Sequence, residues 1–549
     1  MQSRVAAESP TGKWISQYAA GLAACAMVLG WYLVVYLIIR PLADASVVDS
    51  WVYSHAVDIF MRDGSIRFAG YSQATPALQV LYGAAWSRFF GAGYASLDVS
   101  VATLGALAAL ALYALLRRCG SSGGAAILAT ALMIANPCYL FMSFSFMTEI
   151  PFLALLIAAH LAFAQARNDD ARWLWLSAFI AFLGFMIRPF AAAAIAGSVA
   201  AILVRDRAKI SADWLRRMVR PLAPFAVGFV LCALGWIWLT RFNLKPWMLQ
   251  QSEHKLNRFF DVSPFIYIGG GLIGPLFYLG VVLSPMAIPH LMTSWRKGLA
   301  LAAGLLAVAL VSMRMAPRLP ATPELSCFAG WRNALLLRGL PNTFSWDGSW
   351  TQWPAMVLAA LGAAGFIMAA CNLGRPIHRA TIAVVITAAI YWMGMFPLWL
   401  FNDRYYLALI PAACLILALA PPPGRSGRVI AVFGVIVLAT ISLAGVEEHQ
   451  RGIEAITAIR DELLNSGVLR SDIDAGYALN GGDLYYESPE AVEHASMAPR
   501  IPMITSGELA RYTIAGAPVD GTRIIRRVEL RGALGCGNRE IYLLEREQK

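Results

Sequence analysis

Apolar runs follow one another along most of the chain, separated by short polar breaks. A helix that crosses a bilayer takes roughly 20 mostly apolar residues. Runs of that kind predict helices near 16–39, 99–116, 122–140, 150–166, 172–187, 190–204, 221–240, 264–291, 298–313, 354–371, 380–400, 405–422 and 428–446. By that length rule the pattern predicts an all-α polytopic membrane protein with about 13 spans. Two stretches break the rhythm. Residues 40–98 mix Val48, Val52, Val57, Ile59, Phe60 and Phe68 with Asp49, Asp58, Arg62 and Asp63. Such amphipathic sequence predicts helices lying along the membrane surface, the second of them over 76–90 with Leu78, Leu81, Tyr82, Trp86, Phe89 and Phe90. From residue 447 the apolar runs stop. Residues 447–464 read as a polar helix, while 476–479, 522–530 and 540–544 read as strands. The expected organisation is a membrane domain over 1–446 and a small C-terminal α/β domain over 447–549.

Composition agrees with lipid as the solvent. Of 549 residues, 58% are hydrophobic and 14% charged, and mean hydropathy is +0.59. A soluble chain of this length carries about 25% charged residues. These figures exclude a soluble enzyme, a disordered chain and a small disulfide scaffold. The net charge of +11 would suit nucleic acid if it formed one patch, but it falls in short clusters between apolar runs, at 117–118, 167–172, 205–220, 296–297, 375–379 and 425–428. That is the distribution of cytoplasmic loops under the positive-inside rule, and it points to the bilayer rather than to nucleic acid. With a cytoplasmic N-terminus, the longer segments 40–98, 241–263 and 314–353 and the tail all fall outside. The 314–353 segment carries Trp331, Trp346, Trp350 and Trp353, an aromatic set suited to the lipid–water interface. The first apolar run is too long for a signal peptide's core and reads as a retained span. The cysteines form no zinc-binding spacing, and a bridge between Cys327 and Cys536 is an open question.

Candidate chemistry lies in ionisable residues placed where they cost most. Asp49, about ten residues beyond the first span, reads either as a general base toward a hydroxyl or as the N-cap of the surface helix. Glu149, between two apolar runs, reads as a first-turn acid followed by Pro151, or as an acid awaiting a cation or substrate. Arg188 and Arg404 stand at outside helix ends, where arginine grips a phosphate. Arg404 beside Tyr405 also reads as an interfacial anchor, with Asp403 as its ion partner. All four fall on one side of the membrane. Tyr53, His254 and Lys255 are weaker candidate substrate contacts. Asp472-Ile473-Asp474 resembles a DxD metal motif but, lying in the tail, reads as a turn. There is no Walker motif, HExxH or GxSxG, so a nucleotide cofactor is not expected.

Asp49, Tyr53, Gly64, Pro76 and Gly91 after one N-terminal span, a second acid at Glu149, and Arg404-Tyr405 ahead of Pro411 together resemble a family. It is the polyprenyl-phosphate-sugar-dependent membrane glycosyltransferases of GT-C fold, which take in protein O-mannosyltransferases, the lipid A aminoarabinose transferase and the RgtA/B/C/D-like group. The resemblance covers residues 16–425 loosely. Ser50 stands where many members have a Glu, so a second carboxylate at that position is missing. The resemblance implies inverting transfer of a sugar from a polyprenyl-phosphate donor to a hydroxyl acceptor of the cell envelope, on the outer face of a bacterial inner membrane. Asp49 would be the base, with Arg188, Arg404 and Tyr405 on the donor phosphate. Asp49 and Glu149 are the candidates for any divalent metal ion. The rival class is a secondary transporter or lipid-linked glycan flippase, against which stand the lack of an internal repeat and the gathering of ionisable residues at one surface.

Overall fold

A computed structural model of the chain describes residues 10–40, 42–68, 76–166, 170–205, 212–242, 272–315, 352–374, 377–395, 403–421, 423–487, 510–531 and 538–547. The helices are α1 Pro10–Ile39, α2 Ser50–Asp63, α3 Ala77–Phe90, α4 Tyr94–Arg118, α5 Gly123–Ile134, α6 Pro137–Ser143, α7 Glu149–Gln165, α8 Ala171–Phe185, α9 Ala192–Arg205 and α10 Ala212–Phe242. They continue with α11 Gly274–Leu291, α12 Trp295–Met315, α13 Gln352–Cys371, α14 Arg379–Met395, α15 Ile410–Leu419, α16 Arg425–Asn465 and α17 Tyr477–Glu487. Short 3-10 turns sit at Pro189–Ala191, Asp403–Leu409 and Arg470–Asp472.

Among the described residues, six helices are long and apolar enough to cross a membrane, or seven if the bent pair α5–α6 counts as one span. Five further apolar helices are shorter, at 10–17 residues. The outward faces of the long helices α1 and α16 are apolar: Leu22, Leu33, Val429 and Phe433 are all well exposed. A large apolar exterior is unstable in water and stable in lipid, so this is a multi-pass membrane protein. The expected single helix over 122–140 is broken at residues 135–136, with a bend of 67°. Pro137 cannot continue the α5 hydrogen-bond ladder, and Asn136 Oδ1 accepts from the backbone N–H of Cys138 (2.9 Å) and Tyr139 (3.3 Å), starting α6 afresh. The Tyr278 hydroxyl on α11 also donates to that Asn136 oxygen, at 3.2 Å. Helix α6 is buried along its whole length and delivers the chain to the start of α7.

Close helix approach is clearest between α11 and α13. A methyl group on Gly362 would lie 1.9 Å from the carbonyl oxygen of Gly280, so only hydrogen fits there. Helix α2, expected to lie on the membrane surface, is packed into the protein, buried from Ser50 to Val57 and again at Ile59. Cys25 and Cys371 face outward, whereas Cys232 is buried.

In the tail, the polar helix expected over 447–464 is the second half of α16, which runs without a break through the expected boundary at 446–447. Of residues 476–479, expected as a strand, 477–479 open helix α17. Strands β1 Ile473–Asp474, β2 Tyr512–Ala515, β3 Thr522–Arg531 and β4 Asn538–Arg546 form one sheet in the order β1-β2-β4-β3. Only β1–β2 is parallel. Ile514 lies opposite Leu543, and Ile514, Ile541 and Leu544 are fully buried.

Candidate active site

Asp49 sits at the N-cap position of α2, but its side chain makes no cap hydrogen bond. The turn before it closes differently. Val47 N–H donates to Ser50 Oγ at 2.8 Å, and Ser50 N–H donates to the Val47 carbonyl at 2.9 Å. Ser50, where a second carboxylate was missing, therefore supplies the hydroxyl that fastens this turn. Val48 between them has φ of 51°, a left-handed conformation that is costly for a β-branched residue. The Asp49 carboxylate is left to turn toward Arg404, whose Nη2 donates to Oδ2 at 3.2 Å.

Glu149 is the first residue of α7, as a first-turn acid with Pro151 should be, and it is also ion-paired. Arg188, in the link between α8 and the following 3-10 turn, donates from Nη2 to Glu149 Oε1 at 2.6 Å and from Nε to Thr148 Oγ1 at 2.7 Å. Arg404 Nε lies 3.5 Å from the same Glu149 oxygen. Arg404 thus bridges Asp49 and Glu149, two carboxylates a hundred positions apart in the chain. Tyr405 completes the group. Its hydroxyl accepts from Arg404 Nη2 at 3.2 Å, and its ring centroid lies 5.4 Å from Arg188 Cζ and 5.1 Å from Arg404 Cζ. The four charges alternate in sign, which offsets the cost of burying them together.

Exposure separates the two acids. The Asp49 side chain is 28% exposed and that of Glu149 only 2%. Glu149 Oε2 is buried with no hydrogen-bond partner among the described residues. Tyr53, one turn along α2 from Asp49, is buried; burial first, and then the Asp49 charge, push its phenol well above the usual range, so it is a neutral hydroxyl. His254 and Lys255 lie outside the described residues, as do Cys327, Cys536 and nearly all of 241–263 and 314–353.

Three residues were not singled out from the sequence. Thr148 accepts from Arg188, and its place beside Glu149 was the available signal. Gln79 on α3 is fully buried and donates from Nε2 to the carbonyls of Phe146 and Met147, both at 3.3 Å; it holds the backbone leading to Glu149. Tyr391 on α14 is buried against Phe190, with ring centroids 5.2 Å apart. Among the described residues no group of three or more His, Cys, Asp or Glu side chains converges as a metal set. The guanidinium of Arg404 occupies the position between Asp49 and Glu149 that a cation would need, so this donor set does not fit a resident divalent ion.

Residues 63–207 match the family model described as dolichyl-phosphate-mannose-protein mannosyltransferase. The match takes in Glu149 and Arg188 and agrees with the resemblance read from the sequence. No curated protein matches the chain. Among solved structures, ArnT from Cupriavidus metallidurans in the apo state is similar at 13% identity and a TM-score of 0.41, covering 98% of each chain. ArnT bound to undecaprenyl phosphate gives 14% identity and a TM-score of 0.42, again over 98% of each chain. The oligosaccharyltransferase AglB from Archaeoglobus fulgidus, in complex with an inhibitory peptide and a dolichol-phosphate, is 13% identical with a TM-score of 0.43. That comparison covers 82% of this chain and 58% of AglB, so the chain spans little more than half of AglB's length.

Proposed function

We propose that the protein is a membrane glycosyltransferase that moves a sugar from a polyprenyl-phosphate donor to a hydroxyl acceptor of the cell envelope, with inversion. One observation carries the reading: Arg404 joins a partly open carboxylate, Asp49, to a buried one, Glu149, in a chain whose exterior is lipid-facing. The match to mannosyltransferases over residues 63–207 supports the same class.

In this mechanism the acceptor oxygen attacks the sugar C1 as the bond from C1 to the phosphate oxygen breaks. Asp49, the more exposed acid, takes the acceptor's proton. Negative charge builds on the departing polyprenyl phosphate, and Arg404, helped by the Tyr405 hydroxyl, stabilises it in a low-dielectric setting. Arg188 acts on the same charge from further back, held by Thr148 and Glu149. The free Glu149 oxygen can accept one more hydrogen bond, from a substrate hydroxyl. No step passes through a metal ion or a nucleotide. The protein would sit in the inner membrane of a bacterium, with residues 447–549 as an outside domain.

The test is transfer from labelled polyprenyl-phosphate sugar by purified protein. Wild type moves label onto an acceptor, and Asp49→Asn lowers the rate by about 10²–10⁴-fold with normal insertion. Wild-type rates in the variant would remove Asp49 from the chemistry. Label carried across a vesicle membrane without a new glycosidic bond would favour the transporter or flippase class instead.

A further inference from the structure

The C-terminal tail reaches the strained turn that carries Asp49. Helix α17 lies on the first turn of α2, with Gly481 against Trp51. A methyl group on Gly481 would stand 2.4 Å from Trp51 Cε2 and 2.7 Å from its Nε1, so the indole is seated directly on the α17 backbone. Beside it, Ser46 Oγ donates to the Ala478 carbonyl at 2.6 Å. Ser46, Ser50 and Trp51 are all buried. The segment is held from a second direction by α16, where Gln450 Oε1 accepts from Ala43 N–H at 3.3 Å.

Helix α17 is itself anchored. Asn480 Nδ2 donates to Asp474 Oδ1 on β1 at 2.9 Å, and that same oxygen accepts from Gly476 N–H at 3.1 Å. Asp483 meets Arg470 at 3.0 Å and Arg460 of α16 at 3.5 Å. A left-handed valine persists only where its surroundings over-determine it. Ser46 lies two residues before Val48 and Trp51 three after it, so the tail clamps both sides of the strained residue.

We infer that the tail is a positioning element for the transfer site: Gly481 and Ser46, acting through the Trp51 and Ala478 contacts, hold the Val48 turn so that Asp49 faces Arg404. This inference rests on the proposed function, and its test separates the two. In Gly481→Ala the methyl group displaces Trp51. A misplacement of about 1 Å can cost up to about a hundredfold, so kcat should fall by about tenfold to a hundredfold. The donor KM should change by less than about twofold, because the donor site is left intact. Adding Trp51→Phe, which shrinks the ring, should restore much of the lost kcat. Gly482→Ala, whose methyl group would stand a tight 3.3 Å from the Tyr94 hydroxyl and in ordinary contact with Ser46 Oγ at 3.8 Å, leaves Trp51 in place and should stay within about twofold of wild type. Ser46→Ala, which adds no bulk, should lower kcat by about fivefold, the value of one hydrogen bond.

A second measurement is independent of activity. Amide exchange over residues 44–52 should speed up about tenfold in Gly481→Ala and stay at the wild-type rate in Gly482→Ala. Wild-type kcat and exchange in Gly481→Ala, or equal losses in Gly482→Ala, would overturn the inference. If wild type transfers sugar from no donor, the proposed function fails, and the exchange measurement still decides whether the tail holds the turn.

Discussion

Asp49 and Glu149 are both acids that pair with arginine, yet Asp49 is partly open and Glu149 is buried. Asp49 keeps an open side, so replacing it should cost activity and little stability. Glu149 is the buried counter-ion of Arg188, and Glu149→Gln leaves that guanidinium without its charge partner. Removing one member of a buried pair costs about 3–5 kcal/mol. Thermal unfolding in detergent should therefore show a clear drop for Glu149→Gln and almost none for Asp49→Asn. Arg404→Ala removes the charge proposed to meet the phosphate. At about 1.5–3 kcal/mol for a charged hydrogen bond, the donor KM should rise by tenfold or more in a titration of donor concentration. Single residues were legible as candidates because charge in an apolar stretch is costly and rarely accidental. Their partners were not legible. Nothing local to Asp49 shows that its carboxylate declines the helix cap and turns to a residue 355 positions away.

Helices were the most readable elements, since a 20-residue apolar run has few other ways to satisfy its backbone in lipid. The errors came where local chemistry interrupts a run or where apolar content is low. Asn136-Pro137 was present to be read, yet the apolar content on both sides masked the break. In the tail, 476–479 was expected as a strand, but a helix begins at Tyr477, where Asp474 and Asn480 fasten its first turn. Short segments take their conformation from neighbours rather than from propensity. The α11–α13 contact is likewise invisible in a glycine's sequence position. Gly362→Ala would force the helices apart and should cost about 2 kcal/mol or more, read as a lowered unfolding midpoint at unchanged expression.

At the scale of the whole molecule, the tail and the membrane part share α16 and meet again over α2, so stability and site geometry are linked. His55, buried on α2, reports on the folding of that helix into the protein. Burial, with the Arg62 charge adding to it, pushes its imidazole down from 6.5 to about 3. The unfolded chain takes up this proton near pH 6.5 and the folded one only near 3, so folding stability is full above pH 6.5 and is lost as pH falls through that window. The unfolding midpoint should decline between pH 6.5 and 4.5, and His55→Gln should flatten part of the decline. The solvent of this protein, its helical class and the identity of its candidate acids and arginines were determined by the sequence alone. Hydropathy and the cost of charge in lipid are local properties, summed residue by residue. The pairing of Asp49, Glu149, Arg188 and Arg404, the different exposure of the two acids and the seat of Trp51 on Gly481 were decided only by the tertiary structure. Those are distances between residues far apart in the chain, and no local pattern encodes such a distance.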